Sequence, residues 1–521
     1  MKSMTRCLVP MALVLILGLG ASNLAVAQER QSRPPEYREL VVASQIKDAA
    51  ARLKEFERIK AAYPVSQYMT AIERFIMNAK VELAETLDAV LNLQKDFLAK
   101  AQGPGRVQDP FMAADQILSH PRVKTFDKAK VLAVILSYRD EVLKAAEDPA
   151  SFQGIPAAQQ PAFKSYFVTG FWLPVAQAYL NAGETAQALS ALDDYKKNGG
   201  NPDGTYFYTL GGVYERAGRD REAYGAFLSA AAENYEDSAD RAKALYTKIN
   251  GKPDGFEAAL EAELKVLPYH PEPFKAPAGW KGKAVLAELF TGSECPPCVG
   301  ADLGFDGLIE TYPIKYLAVL EYHLPIPRPD PMMNAATKAR QEYYGINSTP
   351  TVVIDGGEKL IGGGNRGMAE GKYKGYKAEI DPKLAAEPGV ALKAKAVRSG
   401  DVVTVDYDFS KVVPGAEYDI ALVQGEEAYR GSNGLMFHKH VVRDLVVVDP
   451  AAAKKASFNL AASEQAGDRY LTDFENTNTR FHEFRFAERH NKIDRSNLEI
   501  VFFVQDKETK KVFNAVVAVV K

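Results

Sequence analysis

Behind a short targeting segment, the chain reads as a multidomain protein: an all-α region of helical repeats, an α/β domain around a Cys-x-x-Cys pair, and an all-β sandwich. Three observations predict this. Apolar residues recur every three or four positions from about Tyr37 to Leu267, an apolar run of strand length leads into Cys295-Pro296-Pro297-Cys298, and short alternating runs fill the chain from about Pro388 to Lys521. The length, 521 residues, suits three or so domains. The composition, 46% hydrophobic and 25% charged with a net charge of -3, is that of ordinary globular proteins. It offers no basic excess to neutralise phosphates, which argues against nucleic acid as a partner.

The N-terminus has the layout of a secretory signal peptide, residues 1–27. Lys2 and Arg6 precede an apolar run from Leu8 to Leu19, and Ala25 and Ala27 supply small residues before Gln28. Cys7 lies ahead of the apolar run, where no lipid-anchoring cysteine sits, so it leaves with the signal. The mature chain then holds Cys295 and Cys298 alone. An uncleaved anchor over Leu8–Val26 is the alternative, but the small-residue exit and the polar "QERQSRPPEYRE" favour cleavage. No later segment offers the ~20 unbroken apolar residues of a spanning helix. The mature protein is expected to be soluble and extracytoplasmic, periplasmic or secreted.

Residues 28–270 form the predicted helical domain, rich in Ala, Leu, Glu and Lys. Met69, Ile72, Ile76, Ala79, Leu83 and Leu87 step along one face of a helix that starts near Pro64 and Ser66 and ends near Lys100. Further on, "AYLNAGETAQALSAL" and "VYERAGRDREAYGAF" superimpose Tyr179 on Tyr214, Gly183 on Gly218, Ala188 on Ala223 and Leu192 on Phe227, 35 positions apart (218 − 183). The pattern resembles the tetratricopeptide helical hairpin. Two copies are fewer than a stable stack needs, so "SADRAKALYTKIN" and "FEAALEAELKVL" are candidate caps. Such hairpins either dock a protein partner or serve only as a scaffold for the next domain.

The proline-rich stretch from Leu267 to Lys283 breaks the helical period and reads as a linker, 271–283. The α/β domain, 284–384, opens with the strand "AVLAELF", a turn, and a helix that can begin at the cysteines. Strand, turn, Cys-x-x-Cys and helix in this order are the context for redox chemistry. After them come the strand "IKYLAVLEYH", the insertion "LPIPRPDP", the helix "MMNAATKARQEYYG", and a hairpin, "TVVIDG" with "EKLIGG".

Residues 284 to about 380 resemble a thioredoxin-fold domain of the extracytoplasmic type. The resemblance rests on the Cys-Pro-Pro-Cys motif and on Thr349-Pro350-Thr351, which stands where such domains carry a cis-proline loop. It covers about a fifth of the chain. By resemblance, Thr349 and Pro350 form the substrate-binding loop, with the backbone of Thr349 pairing with a bound strand. Cys295, at a helix N-terminus where dipole and free N–H groups favour a thiolate, would be the attacking sulfur. Cys298, one turn deeper, would resolve the mixed disulfide. Two departures stand out. Glu294 occupies the place of the tryptophan that thioredoxins carry before the first cysteine, and its charge opposes thiolate formation. Glu288 is the nearest match to their buried proton-shuttling acid, although strand-end glutamates are commonly solvated.

Other chemistry fits less well. A structural zinc site needs four ligands, yet there is no second cysteine pair, and His323 is the only histidine of this domain. A purely structural disulfide is the bland alternative, although a bridge across so short a loop removes little entropy from the unfolded chain. His323 reads as a hydrogen-bonded loop histidine, and "GGGN" at 362–365 as the exit from a hairpin, since it lacks the phosphate-loop ending.

In the β region, 385–521, Val403, Val405, Tyr407 and Phe409 alternate with Thr404, Asp406 and Asp408. "EYDIALVQ", "HVVRDLVVV", "ASFNLAAS", "NLEIVFFVQD" and "KVFNAVVAVV" add further strands, a count that suggests an immunoglobulin-like β-sandwich. The phrase "LVQGEEAYRGSNGLMFHKHVVRDLV" with "EIVFFVQDKETKKVFNAV" resembles the C-terminal part of secreted and outer-membrane-associated bacterial proteins that carry a thioredoxin-like region. His438 and His440 would share a strand face, but a third metal ligand is not identifiable.

The expectation is a secreted or periplasmic thiol–disulfide oxidoreductase, with outer-membrane association implied by resemblance alone. Its partners would be protein or small-molecule thiols and disulfides, and it would need no cofactor beyond the Cys295–Cys298 disulfide. The alternative is an envelope binding or assembly factor that works through its helical repeats and sandwich.

Overall fold

The computed structural model describes residues 34–481 and 483–521. The expected signal peptide, with Cys7, lies outside the described residues. The chain divides into two compact units, one up to Ala226 and one from Phe227 to Lys521.

The described part of the first unit is helical. The single helix expected from Ser66 to Lys100 is two, Met69–Leu83 and Leu87–Leu98. Ala84 turns extended, and the Thr86 hydroxyl accepts a hydrogen bond from the Ala89 N–H, capping a new start. Ile72, Ile76 and Ala79 are buried with Phe75, whereas Leu83 is exposed because the first helix ends there. The 35-residue repeat becomes one helical hairpin, Trp172–Ala182 with Thr185–Lys197, and two further consecutive helices, Gly204–Arg216 and Asp220–Ala232, the last of which runs on into the second unit. The equivalent glycines Gly183 and Gly218 have φ of +88° and +69°, a left-handed turn that glycine makes without strain. Ala188, Ala223, Leu192 and Phe227 are all fully buried.

In the second unit, α1 (Ser238–Asn250) and α2 (Phe256–Lys265) lead into a stretch without regular structure. This stretch, read as a linker, is held down by its aromatic residues. Tyr269 donates to Leu303 O at 2.8 Å, and the rings of Phe274 and Trp280 lie 4.5 and 4.6 Å from that of Tyr316. Next come β1 (Val285–Thr291), α3 (Val299–Thr311), β2 (Leu317–His323), α4 (Ala335–Tyr344), β3 (Thr351–Ile354), β4 (Lys359–Ile361) and α5 (Ala369–Leu384). After α5 the strands are β5 (Leu392–Ser399), β6 (Val402–Phe409), β7 (Ala416–Ala428), β8 (Phe437–Val447), β9 (Lys455–Asn459), β10 (Leu498–Asp506) and β11 (Val512–Val519).

The expected strand "ASFNLAAS" ends early. Asn459 accepts from the Ala462 N–H and starts an 18-residue helix, α6 (Leu460–Thr477), so the C-terminal region is sheet-rich but not all-β.

Eight strands form one mixed sheet in the order β11-β10-β7-β8-β2-β1-β3-β4, and β5-β6-β9 form a second, antiparallel one. β1 runs parallel to β2 and antiparallel to β3, while β2 runs parallel to β8 at Glu321 and Val441. The strands on either side of Pro388 therefore share a sheet. Alternation along β1 sends Val285, Ala287 and Leu289 into a core with Leu303 and Leu308 of α3, and Leu286 and Phe290 into another with Tyr344 of α4. A third core, with Val403, Val405, Ile420 and Phe502, fills the space between the two sheets.

Glu288 ties α4 to the sheet. Its Oε1 accepts from Arg340 Nε at 2.6 Å and its Oε2 from Arg340 Nη2 at 3.0 Å, with Tyr344 and Tyr322 hydroxyls donating at 2.7 and 3.1 Å. Both partners are buried, so each is stranded without the other. Arg340→Ala is expected to lower stability by about 3–5 kcal/mol in urea unfolding. The double variant Glu288→Gln/Arg340→Met should recover most of that loss, because it buries no charge.

Candidate functional site

Cys295 and Cys298 are joined as a disulfide with Cα atoms 5.3 Å apart. Cys295 is extended, and Pro296–Cys298 make a 3₁₀ turn in which the Cys298 N–H meets Cys295 O at 3.0 Å. α3 proper begins at Val299, so the helix N-terminus falls at Cys298 rather than Cys295. Both cysteines have 0% exposure, while the prolines between them are exposed.

The residues around the pair come from separate parts of the chain. Thr349-Pro350 is cis, and the Thr349 hydroxyl donates to Ile326 O at 2.7 Å while lying 3.4 Å from Cys295 Sγ. The glycine run after β4 packs on the motif. The Gly364 N–H donates to Pro297 O at 2.7 Å, and the Gly300 N–H donates to Gly364 O at 2.8 Å. A Cβ on Gly363 would stand 1.9 Å from Pro297 O, so only glycine permits this approach.

A strap between β7 and β8, residues 429–435, holds the segment before Cys295. The Asn433 N–H donates to Ser293 O at 3.1 Å and its side-chain amide to Gly292 O at 3.3 Å. Glu294, in the position noted for its missing tryptophan, presents Oε1 to the Ser432 N–H at 3.3 Å and the Tyr429 hydroxyl at 3.4 Å. Beneath the strap, Asp330 Oδ2 accepts from the Ser293 N–H and hydroxyl at 2.6 and 2.8 Å and meets His323 Nδ1 at 3.0 Å. Burial alone would raise the Asp330 carboxyl, but the His323 ring and the Met332 and Ser293 N–H groups outweigh it and hold the group at about 2.

Of the residues singled out from sequence, Cys295, Cys298, Thr349 and Pro350 are thus gathered in one place. Glu288 is not turned toward α3. It lies on the α4 side of β1, with Leu286 and Phe290, bound to Arg340 as described. His323 is fully buried at the end of β2, 5.1 Å ring to ring from His438, whose Nε2 meets Tyr429 O at 2.9 Å. His440 faces Glu499 instead, at 3.4 Å. Among the described residues no group of three or more His, Cys, Asp or Glu is arranged to hold a metal ion.

Sequence reasoning passed over Asp302, Glu321, Asp330 and the strap. Asp302 and Asp306 interrupt the otherwise apolar "VGADLGFDGLI", and Glu321 interrupts "LAVLEYH"; acids within apolar runs were the available signal. Nothing local marks the strap, because its partners are more than 130 residues away in sequence. Among known proteins, no family model and no curated protein matches the chain.

The Asp330 contacts carry a pH signature. Its folded pKa lies below the ordinary value near 3.9, so the stability it contributes is present above about pH 4 and is lost as pH falls toward 2. Asp330→Asn is expected to destabilise the protein at pH 5, with the gap to wild type shrinking by about 2 kcal/mol by pH 2 in chemical unfolding followed across that range.

Proposed function

We propose that the protein is an extracytoplasmic thiol–disulfide oxidoreductase that works through Cys295 and Cys298. The observation that carries this reading is the closed Cys295–Cys298 pair with the cis Thr349-Pro350 loop beside it, the Thr349 hydroxyl 3.4 Å from Cys295 Sγ. The order β1, cysteine turn, α3, β2, cis proline, β3, β4, α5 supports a thioredoxin-like domain over 284–384. The packing of β7 and β10 against the β5-β6-β9 sheet supports an immunoglobulin-like sandwich, and the 35-residue repeat a tetratricopeptide-like arm. The extracytoplasmic setting rests on residues 1–27 and on the resemblance given above.

In the reducing direction, the Cys295 thiolate attacks one sulfur of a substrate disulfide and releases the other as a thiolate. Cys298 then attacks Cys295 in the mixed disulfide, closing the internal bond and freeing the substrate as a dithiol. The oxidising direction is the reverse. Two electrons pass between substrate and cysteine pair in either case, and no further cofactor is required.

The zero exposure of both cysteines favours a second reading, an envelope assembly factor in which the disulfide is inert and the helical hairpins and sheets make the protein contacts. Under the first reading the strap over Gly292–Glu294 must yield before a substrate sulfur reaches Cys295.

The two readings are separated with the purified chain without residues 1–27. An exchange enzyme is expected to equilibrate with glutathione at a potential between about -120 and -270 mV and, as Cys298→Ser, to trap a mixed disulfide through Cys295. A potential below about -300 mV with no trapped adduct would make the bridge structural and leave the assembly factor.

A further inference from the structure

The exchange chemistry leaves the insertion between β2 and α4, residues 324–331, without a task. Four of its eight residues are proline, Pro325, Pro327, Pro329 and Pro331, and their fixed φ leaves the loop little freedom to lose when it binds. Both ends are pinned. The Leu324 N–H donates to Thr291 O at 2.9 Å, the Asp330 carboxylate accepts from the Ser293 and Met332 N–H groups, and Pro331 O accepts from the His490 N–H at 3.1 Å. Between these anchors the chain comes to the surface: Ile326 is half-buried, while Pro327 and Arg328 are exposed.

The loop is set against the reacting cysteine from two directions. The Thr349 hydroxyl, 3.4 Å from Cys295 Sγ, donates to Ile326 O at 2.7 Å. A Cβ on Gly292, just before the cysteines, would stand 3.3 Å from both Leu324 O and Ile326 O. The segment leading to Cys295 and the Thr349 loop thus both close on the Ile326 carbonyl, and the exposed Pro327-Arg328 pair leaves from that same point. A pinned loop in this place forms part of the rim over which a substrate approaches Cys295, and loops held on a rigid scaffold are where recognition concentrates.

The charges on this rim are unequal. The segments that meet at the motif are 292–298, the insertion, 347–351, 362–365 and the strap, and their charged side chains are Glu294, Arg328, Asp330 and Arg430. Glu294 is met by Ser432 and Tyr429, Asp330 is buried among its donors, and Arg430 donates to Ala231 O at 2.9 Å. Arg328 is exposed and makes no hydrogen bond or ion pair among the described residues. A substrate therefore meets an unengaged guanidinium and no unengaged carboxylate on these segments. A guanidinium takes a carboxylate through paired, charge-assisted hydrogen bonds, and at an exposed site it does so without the cost of burying an ion.

Resting on the oxidoreductase reading, we propose that the insertion is a second substrate-recognition loop, in which Arg328 selects disulfides that carry a carboxylate beside the reacting sulfur and Ile326 and Pro327 supply the apolar contact. An Asp or Glu next to a cysteine of a protein segment and a small-molecule disulfide with carboxylate arms present the same chemistry to it. Arg328 takes no part in the exchange between Cys295 and Cys298. It sets which substrate is placed there.

The test measures reduction of matched disulfides by the reduced chain without residues 1–27, each rate divided by that of free dithiothreitol on the same compound so that intrinsic reactivity cancels. One pair is a peptide disulfide with Glu beside each cysteine and the same peptide with Gln. The other is dithiodipropionate and hydroxyethyl disulfide. Wild type should favour the acidic member by about threefold in second-order rate constant, the size of one exposed ion pair, and the preference should shrink as salt is raised. Arg328→Gln should abolish the preference and leave the neutral members within about twofold of wild type, Arg328→Lys should retain part of it, and Arg328→Glu should reverse it. All three variants should keep the wild-type urea midpoint, because the side chain is exposed and unpaired. A preference confined to one pair identifies protein segments or small molecules as the source of the carboxylate, and a preference in both admits either. No preference in wild type, or one that Arg328→Gln leaves unchanged, overturns the recognition loop alone. Absence of any reduction by wild type overturns the oxidoreductase reading, and the recognition loop with it.

Discussion

The parallel pairing of β2 with β8, at Glu321 and Val441, is the joint on which the second unit depends. Without it β2 would be an open edge, and an open edge invites pairing with other chains. With it, four strands formed before Pro388 and four formed after it make a single sheet in which β1, β2 and β3 are buried along their whole length. The joint is reinforced from α4, where the Asn334 amide donates to Val442 O at 2.9 Å.

Seating β8 there delivers distant residues to the cysteine motif. The strap that precedes β8 reaches Gly292, Ser293 and Glu294. His438 arrives against His323, and Lys439 comes to 3.5 Å from Asp306. The Cys295 environment is therefore built from both sides of Pro388, and the resulting enclosure accounts for two cysteines without exposed surface.

Buried charges differ between the faces of the sheet. On the α4 face, Glu288 is matched by Arg340 and two tyrosine hydroxyls, an arrangement that fixes a helix and leaves no lone charge. On the α3 face, Asp302 and Glu321 are buried; the Thr291 hydroxyl meets both Asp302 oxygens, and Glu321 Oε1 has no hydrogen-bond partner among the described residues. Burial without compensation raises the affinity of a carboxyl for its proton, whereas a bidentate guanidinium gives it a fixed countercharge. Carboxyls of similar depth thus differ in what meets them, a guanidinium at Glu288 and a single hydroxyl at Asp302.

Much of the local architecture is legible in the sequence. The helical period up to Leu267, the hairpin repeat with Gly183 and Gly218, the strand before the cysteines and the alternation in β6 all depend on neighbours a few residues apart, and short-range patterns record such dependence. The break at Thr86 and the helix at Leu460 were legible only as single capping residues inside longer apolar patterns, which masked them. Cys295, Cys298, Thr349 and Pro350 could be picked out because each belongs to a short motif. The role of Glu288 could not be settled locally, since the strand alone does not say which face meets α3 and which meets Arg340. Sequence determined where helices and strands begin and which thiols are present. Only the tertiary structure decided which acids are buried on each face of β1 and β2, that a strap from beyond residue 428 holds the segment before Cys295, and that one sheet runs across Pro388. These outcomes arise from contacts between residues far apart in the chain, and no local period encodes such contacts.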